Sequence, residues 1–131
     1  MLIPQGVADE LLAKDTPDKE RIVALLTILQ IVPLAKPIEP MLASELDKGE
    51  AAVLQLASER QISGVLIDEK KARKVASLIY RLEVRGTAAL LLEAKNRKLI
   101  PSVGDALNTM AEGGYFIGPN LRAECLKRSR E

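Results

Sequence analysis

At 131 residues the chain has the size of a single domain, and its 47% apolar and 28% charged content supplies a core and solubility together, which sets aside disorder. A formal net charge of +1 gives no global pull toward nucleic acid, and 2% aromatic residues leave almost no platform for base stacking. With no histidine, Ser-His and Cys-His nucleophile pairs are excluded, so any chemistry uses carboxylates, lysine, hydroxyls or a carboxylate-held metal.

The N-terminal stretch MLIPQGVADELL lacks the cationic start and long apolar core of a secretory signal, and no apolar run approaches a membrane span. Leu2-Ile3 reads as the end of a strand. Pro4 then leads into a helix over Gln5 to Lys14, with Val7, Leu11 and Leu12 at helical spacing. Thr16-Pro17 predicts an N-cap followed by proline at the first helical position, opening an amphipathic helix that fades near Ile28. Leu29 to Leu34 reads as a short strand, and Pro33, Pro37 and Pro40 mark a connector at an edge.

Asp47-Lys48-Gly49-Glu50 opens a helix that ends near Gln61. Ser63-Gly64 breaks the chain, and Val65-Leu66-Ile67, bounded by Asp68-Glu69, reads as a buried strand. A helix from about Lys70 to Arg81 and a strand over Leu82 to Arg85 complete a strand–helix–strand crossover whose two strands are expected to be parallel. Thr87 is expected to cap a helix through Lys95, and Ser102 one through Met110 that stops at Gly113-Gly114. Tyr115-Phe116-Ile117 reads as a strand or extended segment. Gly118-Pro119-Asn120 starts a last helix whose basic tail, Lys127, Arg128 and Arg130, is expected to fray. Its Cys125 is the only cysteine, which excludes an intrachain disulfide and a cysteine-based zinc site and favours a reducing compartment, read as cytoplasmic.

Helices alternating with short buried strands predict an α/β fold, a three-layer α/β/α sandwich around a mostly parallel sheet in one domain, with ligands at the carboxyl ends of the strands. Asp68 falls at such an end, Glu50 in the first turn of a helix, and Glu10 beside the core-facing Val7 and Leu11. If they converge, three crowded carboxylates need a cation, Mg²⁺ or Mn²⁺, and such an ion suits phosphodiester hydrolysis. Each acid also has a structural role open to it. Asp47 to Glu50 matches a capping box, Asp68 can cap the next helix, and Glu10 can be a solvated helix acid. The basic cluster Lys70, Lys71, Arg73 and Lys74 follows Asp68, and positions 70, 73 and 74 share a helix face that suits a nucleic-acid phosphate; a solvated face paired with acids is the alternative.

In LDKGEAAVLQLASE, GVLIDEKKARKVA and LEVRGTAALLLEAKNRKLIPSV, taken in order and at these spacings, the chain resembles the PIN-like family of predicted nucleic-acid-binding proteins, in its small prokaryotic subgroup. The resemblance runs from about Ile3 to the C-terminus. It implies a three-layer α/β fold and, for active members, a metal-dependent ribonuclease, often a toxin paired with an antitoxin. By position it assigns metal-holding acids to Glu10 in VADELL, to Glu50 and to Asp68, the three residues already singled out. Family members begin with a strand ending in Asp-x-Ser-Pro-Leu-Ile, whose Asp also binds metal, and Met1 stands in place of that strand and the helix after it. Because that strand lies at the sheet's centre, the resemblance implies a homo-oligomer, a strand-supplying partner or an upstream segment to fill the gap.

Two functions follow as expectations. One is a PIN-like ribonuclease impaired by loss of the first-strand acid. The other is a non-catalytic interaction module that binds a partner chain, nucleic acid or itself. An Asp-centred signalling domain leaves the Gly-Glu and Ile-Asp-Glu spacing unexplained.

Overall fold

The computed structural model describes residues 1–131. The chain forms two compact units, Met1–Val84 and Arg85–Glu131, each with its own core. In the first unit, β1 (Leu2–Pro4) runs directly into α1 (Gln5–Ala13) through Pro4, which is extended at φ −63°, ψ 143°. The next helix, α2 (Lys19–Ile28), starts two residues later than Thr16-Pro17 predicts. Thr16 instead begins a turn, its carbonyl accepting from Lys19 N at 3.1 Å, and its hydroxyl bonds the Asp18 carboxylate. β2 (Gln30–Val32) follows and pairs in parallel with β1, Ile3 opposite Ile31.

The proline connector contains a short helix, α3 (Pro40–Glu45). Pro40 occupies the opening of the helix, where its missing N–H costs nothing, and fully buried Leu42 anchors it in the core. Glu59 holds the rest of the connector, accepting from the Ala35 and Lys36 amides at 2.7 and 3.1 Å.

At the centre of this unit is α4 (Lys48–Arg60), capped by Asp47, whose carboxylate accepts from Glu50 N at 2.9 Å. Ala51, Ala52, Leu54, Gln55, Leu56 and Ala57 are buried around nearly its whole circumference, as a helix enclosed by its neighbours requires. It packs against α1, α3, β1 and β3 (Gly64–Leu66). The expected helix over 70–81 divides into α5 (Lys70–Lys74) and a π-helical turn over Val75–Ile79. β4 (Glu83–Arg85) then pairs with β3. Leu42, Leu46, Leu54, Ile67, Ala72 and Ala76 form the shared core.

The α/β class expected from the sequence is the class observed. The four strands form two separate pairs, β1 with β2 and β3 with β4, and α4 lies against both. At three residues each, the strands make few ladder bonds, and two-stranded pairs of this kind hold only when packed on a helix.

The second unit is helical: α6 (Thr87–Asn96), α7 (Val103–Glu112) and α8 (Pro119–Arg128) enclose Val103, Leu107 and Cys125. Thr87 lies inside α6, and Gly86 takes the cap position. Ser102 caps α7 as predicted, accepting from Asp105 N at 3.1 Å. The 115–117 segment forms no strand. The basic tail does not fray: Ser129 is buried, and the Glu131 carboxylate accepts from Val103 N at 2.8 Å and Lys95 Nζ at 2.9 Å. No helix is long and apolar enough to cross a membrane.

Candidate functional site

The strand β3 ends at Leu66, Ile67 turns into the core, and Asp68 emerges exposed before α5 begins. On one side of Asp68 lies a cavity of about 360 Å³ whose wall carries five carboxylates: Glu10 from α1, Asp47 and Glu50 from the start of α4, and Asp68 and Glu69 from the end of β3. The packing of α1 on α4 brings the first of these in. A Cβ placed on Gly49 would stand 3.6 Å from Glu10 Oε2 and 3.7 Å from Asp47 Oδ1, so the Glu10 carboxylate rests against the first turn of α4.

Two of the five are helix caps. Asp47 caps α4, and Glu69 caps α5 by accepting from Ala72 N at 2.8 Å. The capping role open to Asp68 in the sequence is therefore filled by its neighbour. Glu10, Glu50 and Asp68 line the same cavity, Glu50 returning a bond to the Asp47 backbone as in a capping box, and no three acids stand close enough together to hold a metal ion as they are placed. Their chemistry suits Mg²⁺ or Mn²⁺, since every donor is a hard carboxylate oxygen.

Electrostatics of the wall point the same way. Burial, the Asp47 charge and the Glu69 charge raise the Glu50 pKa above the usual 4.5, although a hydrogen bond donated by the Asp47 backbone N–H to the Glu50 carboxylate partly offsets them. Glu69 goes the other way, held low by hydrogen bonds from the Ala72 and Lys71 amides. Acidic neighbours thus disfavour the charged form of Glu50.

On the other side of Asp68 is a second cavity of about 600 Å³, lined by Lys70, Arg73, Lys74, Ser77, Leu78 and Val84. Arg73 is braced here, its guanidinium donating to the Ile67 carbonyl at 2.9 Å. Lys71 points elsewhere and pairs with Glu45 at 3.0 Å, so three of the four basic residues singled out in the sequence share the cavity and the fourth does not. Sequence reasoning passed over Ser77, Leu78 and Val84. Ser77 continues the row of Lys70 and Arg73 at helical spacing and was within reach of it; the two apolar residues carry no local signal.

These two cavities, meeting at an acid on a strand end, define a class: a small α/β domain that presents carboxylates beside a basic surface. A family model described as a PIN domain matches residues 1–131, and the chain belongs to that family, whose function is nuclease-like. No curated protein and no solved structure matches the chain at a significant level.

Proposed function

We propose that the protein is a metal-dependent ribonuclease of the toxin type. The observation that carries this reading is the position of Glu10, Glu50 and Asp68, from three separate elements, on the wall of one cavity. In this reading they hold Mg²⁺ or Mn²⁺ through their carboxylate oxygens. When bound, the ion polarises a water and neutralises charge developing on phosphate. Lys70, Arg73 and Lys74 draw the RNA backbone to the same strand end, with Arg73 pre-oriented by the Ile67 carbonyl. The caps made by Asp47 and Glu69 fix the two helix starts that carry Glu50 and follow Asp68. A toxin of this kind is held in check by an antitoxin, and a lone cysteine buried in α8 suits a reducing, cytoplasmic setting.

A second reading has one observation in its favour. The acids are gathered but not closed into a three-ligand set, as in an interaction module that binds RNA or a partner without cutting. One experiment separates the two: purified protein is incubated with single-stranded RNA and Mn²⁺ beside an Asp68→Asn control. Metal-dependent cleavage reduced at least a hundredfold by the substitution, roughly the loss expected for a group bearing on transition-state charge, supports the nuclease. Cleavage unchanged in the variant excludes Asp68 from the chemistry, and RNA binding without cleavage favours the module.

A further inference from the structure

We propose that the cavity lined by Leu78 and Val84 is a nucleobase subsite, in which one unpaired RNA base packs on these two side chains while its phosphate lies on Lys70, Arg73 and Lys74. The proposal rests on the RNA-directed reading above and deepens it, naming an unpaired nucleotide as the form in which the strand engages the site.

The cavity is amphipathic along its length. Its cations come from α5, its apolar surface from the π-helical turn and β4, and Ser77 adds a hydroxyl. It is an open groove of about 600 Å³, room enough for a nucleotide laid along the surface. A nucleotide is divided in the same way, with an anionic phosphate at one end and a flat base of low polarity on its faces at the other.

Helical spacing brings both kinds of residue to one face. Tyr80 N reaches the Val75 carbonyl at 3.3 Å, closing a five-residue loop where an α-helix would close four. Lys70, Lys74, Ser77 and Leu78 share a face at helical spacing, and the π-helical turn carries the last two of them. Leu78 is left 76% exposed, the cost a protein accepts for a contact surface more readily than for packing. Single exposed leucines are common, but this one lines a cavity together with three cations, and that charge selects an anionic occupant.

A base inside a duplex has both faces stacked and cannot reach such a wall, so the occupant is unpaired. Ser77 can donate or accept a hydrogen bond, so the subsite tolerates all four bases. Aliphatic packing is weaker than stacking on an aromatic ring, which places the contribution near the lower end of the stacking range, about three- to fivefold in affinity.

The test measures fluorescence anisotropy of a labelled ten-nucleotide RNA without divalent metal, and of versions carrying one abasic position in turn. Wild-type protein should lose about three- to fivefold in affinity at one abasic position. Leu78→Ala should lose the same amount on the intact strand and no more on the abasic one, whereas Lys74→Ala should weaken both strands equally. Additive losses from the abasic position and Leu78→Ala, or no loss at any abasic position, overturn the subsite, as does failure of the wild type to bind RNA. Cleavage is read separately with Mn²⁺: its absence alongside coupled losses overturns the nuclease reading and leaves the subsite standing.

Discussion

Glu50 shows how opposing effects on one residue can be ranked. Its place in the first turn of α4 favours a carboxylate, through the helix dipole, by about 0.3 to 1 kcal/mol. Its pKa is nevertheless raised, so burial and the charges of Asp47 and Glu69 outweigh the dipole. A carboxyl group that binds its proton more tightly folded than unfolded subtracts stability above its ordinary pKa of 4.5, and the penalty is relieved as the pH falls toward that value. Glu50→Gln should therefore raise the melting temperature slightly at pH 7 in metal-free buffer. Mn²⁺ should reverse the ranking. An ion bound only by the folded chain at a hundredfold excess over its Kd adds about 2.7 kcal/mol, and most of that gain should be missing in Glu50→Gln. A thermal melt with and without Mn²⁺ checks both halves, and an equal metal response in the two proteins would remove Glu50 from the ion site.

At the scale of elements, α4 sets the position of everything around the acids, because α1, α3 and both strand pairs lie against it. Leu54 is fully buried in this helix, and Leu54→Ala should destabilise the first unit by about 2 to 5 kcal/mol in urea unfolding. The helix was legible in the sequence because its signals are local: a capping aspartate, an apolar period and a break at Ser63-Gly64, and its end at Gln61 is in the left-handed region. Where tertiary packing decides, the sequence misled. Pro40 reads as a breaker but opens α3, since Leu42 reaches a core that no window of residues reveals. Thr16-Pro17 has the composition of a helix start yet forms a turn, because the Thr16 hydroxyl bonds Asp18 and no helix amide. The helix over 70–81 was foreseen, but its π-helical turn, which carries Ser77 and Leu78, was not. The carboxylates at helix starts and strand ends could be read in advance because the α/β topology fixes such positions, whereas their partners Ser77, Leu78 and Val84 meet only once β4 returns beside β3.

For the whole molecule, sensitivity to acid follows from carboxylates that the fold holds ionised. Glu59 and Glu69 in the first unit are held below the usual 4.5, mainly by hydrogen bonds from the Ala35 and Ala72 amides respectively. Glu131 in the second unit is depressed furthest, by the Ser102 hydroxyl, then Lys95, with the Gly104 and Val103 amides adding to both. Each group binds fewer protons folded than unfolded near pH 4, so its contribution is complete above 4.5 and is lost progressively as the pH falls below that value. Glu50 opposes this trend as a single group, and three outweigh one. Thermal melts from pH 7 to pH 3 should therefore show stability falling below about pH 4.5. In Glu131→Gln the starting melting temperature should be lower and the fall shallower, because the amide cannot ionise and makes weaker bonds to Lys95 and the α7 amides. A pH profile with the same slope in wild type and variant would show that the Glu131 carboxylate bears no charge-dependent share of the second unit's stability.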